Sequence, residues 1–177
     1  ESYEGSHPAI IDKPTWDAVQ LGLEENRQGH RSQKNASNPS LLAGLVFDES
    51  DNRFTPSHST KNSKRYRYYI QEVEAGKPIR IPAQDLESAV LDCLQDRLAN
   101  ESWVATVTPE DAQLKQTAIH KGAQLSRKLE QPSIELLHDL IAKVVVYKEQ
   151  LEVHIQLELL CGIKMQAVTH VPAVLKR

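Results

Sequence analysis

Lys61-Asn-Ser-Lys-Arg-Tyr-Arg-Tyr-Tyr-Ile70 is the stretch on which the reading of this chain turns. Four cations and three tyrosines fall within ten residues, and no acid is among them. The whole chain carries a net charge of −3, so this basicity is local. From Arg65 to Ile70 the pattern predicts a β-strand. Tyr66, Tyr68 and Ile70 fall on one face, and Arg65, Arg67 and Tyr69 on the other. The first face is expected to pack and the second to face outward. A cationic outer face suits a polyanion, because guanidinium and ammonium groups neutralise phosphates and a tyrosine can stack or hydrogen-bond beside them. The same pattern also suits an ordinary amphipathic strand with a solvated polar face.

On the N-terminal side, Leu41 to Phe47 predicts a short apolar strand. Asp48-Glu-Ser-Asp-Asn52 predicts a turn, and Arg53 to Ser57 a returning strand. With the tyrosine strand these make a small antiparallel sheet, which needs a metal or a helix packed on it to be stable. Earlier still, Asp12 caps a helix with Pro14 in its first turn, running to about Asn26 with Trp16, Val19 and Leu23 on one face. Gln28 to Pro39 is polar and reads as a linker.

On the C-terminal side, Asp85 to Asn100 predicts a helix with Leu86, Val90, Cys93, Leu94 and Leu98 on one stripe and Asp85, Glu87, Asp92 and Asp96 on the polar side. Thr108-Pro-Glu-Asp111 predicts a second helix start, running to about Glu130 through Leu114, Ala118, Leu125 and Leu129, with Gly122 interrupting it. A third helix covers Ile134 to Lys143. Val144 to Tyr147 and Leu151 to Leu159 then form a hairpin, because Leu151, Val153, Ile155, Leu157 and Leu159 alternate with polar residues. The tail from 161 to 177 gives no clear signal. The expected fold class is α+β: a small antiparallel β-ribbon sheet packed with amphipathic helices, a short helical hairpin insertion at about 101–133, and a closing C-terminal β-hairpin.

Composition narrows the function classes. Of 177 residues, 40% are hydrophobic and 25% charged, enough for a core. No apolar run approaches the roughly 18 residues of a membrane span. Glu1-Ser-Tyr-Glu-Gly5 has no signal-peptide pattern and no initiator Met, as expected of a cytoplasmic chain that is a fragment of a longer one. Cys93 and Cys161 are far apart in apolar settings, which suits reduced thiols. No Gly-rich phosphate loop, CxxC pair or HExxH is present, and the seven histidines are scattered. The expectation is no catalytic residue, no metal and no cofactor. His58 with Asp48 or Asp51 is the nearest approach to a hydrolytic or metal site, and the turn explains the two aspartates better.

Charge is segregated. From Arg53 to Arg80 seven Lys and Arg stand against two Glu, a balance of +5. From Asp85 to Asp111 seven acids stand against Arg97, a balance of −6. Such a molecule would turn its sheet, not its helices, toward a nucleic acid.

The order of these pieces resembles the C-terminal DNA-binding half of the large serine recombinases. His7-Pro-Ala-Ile-Ile-Asp12, with Thr15-Trp-Asp-Ala-Val-Gln20 and Asn26, is similar to the end of their recombinase domain. Leu41-Leu-Ala-Gly-Leu-Val46 resembles the strand that opens their zinc ribbon, Arg65-Tyr-Arg-Tyr-Tyr69 its third strand, and Ile81-Pro-Ala with Asp85-Leu-Glu87 the start of the following helix. Leu140 to Leu157 resembles the closing strand pair. The resemblance implies a recombinase-domain end over 1–30, a basic linker over 31–40, a ribbon domain over 41–160 and a tail over 161–177. The family's zinc cysteines are absent, with Asp48 and Asp51 where the first pair is expected, so a ribbon without metal is predicted, held by Phe47, Tyr66, Tyr68 and Ile70. The insertion is short for the family's coiled coil, which mediates contacts between subunits. The serine nucleophile and its catalytic domain lie outside this chain.

The resemblance implies binding to double-stranded DNA at a recombination site, other recombinase subunits as partners in the intact protein, and no membrane. The expected contacts are Lys61, Lys64, Arg65 and Arg67 with Tyr69, then Arg27, Arg31 and Lys34, then Arg53, Lys77 and Arg80. The rival expectation is a protein-interaction module that uses the helices from Thr108 to Lys143 and the hairpin.

Overall fold

The computed structural model describes residues 12–28, 40–73 and 77–172. The chain divides into two units, Glu1–Ala36 and Ser37–Arg177. In the first unit, α1 (Lys13–Gln28) is capped by Asp12, whose carboxylate accepts from the Thr15 N–H at 2.8 Å. Trp16 and Val19, on its expected apolar face, are exposed.

The second unit is α+β, with two sheets and five helices among the described residues. Its strands are β1 (Val46–Asp48), β2 (Thr55–Lys61), β3 (Lys64–Gln71) and β4 (Ile79–Pro82), followed after the helices by β5 (Ile141–Val146), β6 (Gln150–Gln156) and β7 (Gln166–Pro172). Strands β2-β3-β4 form an antiparallel sheet. The second sheet runs β1-β5-β6-β7, with β1 parallel to β5 and the other pairs antiparallel.

Three expectations are corrected here. Leu41 to Phe47 does not open the tyrosine sheet. Residues 41–45 form turns closed by Leu45 N–H on Leu42 C=O at 3.1 Å, and Gly44 takes a φ of +88° that L side chains rarely adopt. Only Val46–Asp48 is strand, and it joins β5, nearly a hundred residues on. The place of a third strand is taken by β4, whose Ile79-Arg-Ile-Pro82 reads in the sequence as a mere lead-in to a helix. The described part of the C-terminal tail, up to Pro172, forms regular structure: α6 (Glu158–Cys161) ends on Gly162 in the left-handed region, and β7 returns along β6. Leu157 and Leu159 therefore do not continue the strand.

Helix α2 (Ala83–Ala99) buries the predicted stripe of Leu86, Val90, Cys93, Leu94 and Leu98. Thr108 does not start the next helix. It caps the C-terminal end of α3 (Glu101–Val107), where its buried hydroxyl donates to Val104 C=O at 2.7 Å. Asp111 caps α4 (Ala112–Lys128) by accepting from Leu114 N–H. Gly122 does not interrupt α4. It is the close-approach point of α4 to α2, where a Cβ would meet Leu98 O at 2.6 Å. Ala118, Leu125 and Leu129 bury into the same continuous core as both sheets, so the insertion is part of the domain body. Helix α5 (Ile134–Leu140) stops three residues early, and Ile141–Lys143 belongs to β5.

Candidate nucleic-acid interface

Strand pairing decides which face of β3 is buried. Phe54 lies just before β2 and is buried, and Tyr69 of β3 is wholly buried. Residues two apart share a face, so Arg67, Tyr69 and Gln71 point inward toward α2, and Tyr66, Tyr68 and Ile70 point outward. This is the reverse of the expected assignment.

The inward face is held by one carboxylate. Glu87 of α2 is 4% exposed. Its Oε1 accepts from Leu41 N–H at 2.9 Å, Tyr69 O–H at 2.9 Å and Arg67 Nη1 at 3.0 Å. Its Oε2 accepts from Arg67 Nη2 at 2.9 Å, completing a two-pronged ion pair. Tyr69 Oη in turn accepts from Leu42 N–H at 2.9 Å. One side chain thus ties the 41–45 turn, β3 and α2 together. Burial, and next the Glu87 carboxylate, push the Tyr69 phenol well above its usual ionisation range. Arg67 and Tyr69 are framework residues, and both leave the set of expected DNA contacts. Phe47, Tyr66, Tyr68 and Ile70, expected to pack the ribbon in place of zinc, are not its core either. Phe54, Tyr69 and the Glu87 network do that.

The other expected cations divide by location. Lys61, Lys64 and Arg65 are brought together and exposed at the end of the β2–β3 ribbon. The turn between the strands is a two-residue loop, Asn62 and Ser63, with φ of 49° and 59°. Positive φ at both positions matches the right-handed twist of the strands they join. All residues from 58 to 66 are exposed. Lys61 lies directly opposite Lys64, a like-charge pair that disfavours folding. Lys64 Nζ sits 5.6 Å from the Tyr66 ring centroid. Cross-strand pairing also puts Arg80 on the outer face, opposite Ile70. That face therefore presents Lys61, Lys64, Tyr66, half-buried Tyr68 and Arg80, while Arg65 sits at the tip of the other face opposite Thr60.

Lys77 is exposed just before β4. Arg53 is exposed, bridges to Phe47, and lays its guanidinium over Gly44, away from the ribbon tip. Arg27 lies in α1 in the other unit, and Arg31, Lys34 and most of the expected linker lie outside the described residues. Sequence reasoning assigned Tyr66 to packing. The signal that could have placed it outside is Phe54, an aromatic whose face Tyr69 must share once the strands pair.

The Asp48–Asn52 turn behaves as its composition suggests. Asp48 Oδ1 accepts from Ser50 N–H and Asn52 N–H, and Oδ2 from Asn52 Nδ2 and from Gln71 Nε2. Burial pushes the carboxyl up, but these hydrogen bonds outweigh it and hold Asp48 below its usual value. Asp51 pairs with Lys143. Among the described residues no cluster of His, Cys, Asp or Glu could hold a metal, and His58 is on β2, opposite Arg67. No helix of the described residues is long and apolar enough to cross a membrane. Asp85, Asp92 and Asp96 line a cleft of about 660 Å³ between α2 and β7, keeping the acidic charge on the helix. Comparison of the chain with protein-family models, with curated proteins and with solved structures gives no match.

Proposed function

We propose that this chain is a DNA-binding module that engages duplex DNA through the end of the β2–β3 ribbon. One observation carries the reading: nine consecutive residues, 58 to 66, are exposed on both faces of a paired ribbon that holds three cations and no acid. A hairpin end that buries nothing gains little from folding by itself. Its rigidity and charge gain a purpose against a polyanion. A two-stranded ribbon has the width to enter the major groove, and its cations release counterions from phosphates. Lys61, Lys64 and Arg65 are the principal contacts, with Tyr66 beside them as a stacking or hydrogen-bonding group and Arg80 and Lys77 flanking.

In the intact protein the module serves as the site-recognition part of a serine recombinase of a mobile element, in the cytoplasm, beside other recombinase subunits. The order of the motifs from His7 to Leu157 supports this finer reading. Strand cleavage and rejoining are then supplied by a domain outside this chain.

The test is fluorescence anisotropy with duplex DNA across a salt series, using the ends of the element and a scrambled duplex. The Lys61→Ala/Lys64→Ala/Arg65→Ala variant runs alongside. Steep salt dependence is expected, with the slope reduced by about 2 to 3 in the variant, near 0.9 for each phosphate no longer neutralised. Preference for the element ends supports the recombinase role. No binding to either duplex at low salt refutes the DNA reading.

A further inference from the structure

The outer face of the β2-β3-β4 sheet carries two aromatic rings that the fold leaves uncovered. Tyr66 is 38% exposed, and Tyr68, two residues on along β3, is half-buried. Residues two apart on a strand share a face and stand about 6.6 Å apart, so each ring has room for a ligand of its own. The cross-strand partners of the two tyrosines on β2 are Ser59 and Ser57. A serine side chain is too short to lie over a phenol ring, so neither tyrosine is capped from that side. On the other side β4 pairs only with residues 68–71, which sets Pro82 opposite Tyr68 and leaves Tyr66 with β2 alone beside it.

Cations stand at both ends of this row. Lys61 and Lys64, opposite each other, lie at the tip, and Arg80, opposite Ile70, lies at the far end. From Lys64 to Ile70 the strand runs about 20 Å. Lys64 Nζ, 5.6 Å from the Tyr66 ring centroid, holds a positive charge beside the ring. Residues 53–71 include no acid, and Glu72 follows just past the end of β3. A face that sets aromatic rings between cations complements a polyanion whose units carry flat rings.

A duplex offers such a face phosphates but no ring surface, because its bases stack on one another and only their edges reach the grooves. An unpaired strand offers both. We propose that the outer face of the sheet binds single-stranded DNA, with one base stacked on Tyr66, one on Tyr68, and the flanking phosphates on Lys61, Lys64 and Arg80. This rests on the reading of the ribbon as a DNA surface and extends it from the duplex to an opened stretch. Stacking tolerates any base, since every base has a π-face, so the face holds an unpaired strand whatever its sequence. Arg65, at the tip of the other face, is outside this surface and stays available to the duplex.

The experiment measures fluorescence anisotropy of the full chain with a labelled oligothymidine strand and with duplex DNA of equal length. The chain is expected to bind the single strand. Tyr66→Leu/Tyr68→Leu should weaken that binding by about 5- to 150-fold for each base stack lost, while duplex binding keeps its salt slope. Tyr66→Phe/Tyr68→Phe keeps both rings and should retain strand binding. If the double leucine variant fails to fold, Tyr66→Leu alone, at the more exposed ring, carries the test. Duplex bound and single strand not bound overturns this proposal and leaves the duplex reading standing. Neither bound overturns both. Single-strand binding indifferent to the leucine changes overturns the stacking face, and tighter binding of an equal-length oligouridine strand would make RNA the occupant and overturn it too.

Discussion

Replacing Glu87 by Ala should be among the most damaging single changes in the chain. It removes four hydrogen bonds at once, one from Leu41 N–H, one from Tyr69 O–H and two from the Arg67 guanidinium. Arg67 retains only 15% of its side-chain exposure, so its charge is left without its carboxylate in a largely dry setting. Breaking a buried pair from one side costs about 3–5 kcal/mol, whereas removing both partners costs much less. For a unit of this size each kcal/mol lowers Tm by about 4 °C, so Glu87→Ala should lower it by about 12–20 °C. Arg67→Met alone should cost about 1–3 kcal/mol, because Glu87 keeps two other donors. In Arg67→Met/Glu87→Ala the two changes should be strongly non-additive, recovering at least about 1 kcal/mol relative to their sum. Urea denaturation of the four proteins supplies the cycle. A loss below about 1 kcal/mol for Glu87→Ala, or strict additivity in the double variant, would refute the view that this carboxylate holds the 41–45 turn, β3 and α2 together.

Further outcomes follow from other contacts. Gly122→Ala should cost about 1–3 kcal/mol, measured by denaturant unfolding, because its Cβ would press on the Leu98 carbonyl of α2, and main chain cannot swing aside. Tyr69 holds its proton more tightly when folded than unfolded, so the unfolded state sheds protons first. Stability should therefore fall as pH rises above about 10. Absorbance titration should show one of the five tyrosines ionising only as the chain unfolds. Asp48 has the opposite sign: its lowered folded value stabilises above the unfolded value of 3.8, and that contribution should fade as pH falls through the folded value. Asp48→Asn should flatten the acid limb of a Tm-against-pH curve. Arg67→Ala should lower Tm with little change in the salt slope of DNA binding, the reverse of the ribbon-tip variant.

Local patterns carried much of the architecture. The stripe Leu86, Val90, Leu94 and Leu98 specified α2, since apolar residues at helical spacing have one way to bury together. The alternation from Leu151 to Ile155 specified β6 for the analogous reason at period two. The Asp48 turn and the basic cluster at Lys61–Arg65 were also legible, the latter because charge density is a property of composition. Long-range pairing was not. β1 joins β5 through three residues, too few for periodicity to register. β7, with Gln166, Thr169 and His170 among its residues, is made a strand by the β6 edge it covers, not by its own propensity.

The tyrosine strand shows where the division lies. Period-two alternation in Arg65-Tyr-Arg-Tyr-Tyr69 separates two sets of residues, and the residues alone determine that separation. Which set is buried depends on what waits on each side, and a one-step reversal exchanges every side chain. Here α2 approaches with a carboxylate, not a plain apolar ridge. Arg67 brings the opposite charge that pairs with it in two prongs, which the face of Tyr66, Tyr68 and Ile70 lacks. A sequence states its charges and its periods. Only the tertiary structure decides which cations are consumed in holding the fold and which are left exposed at the ribbon tip.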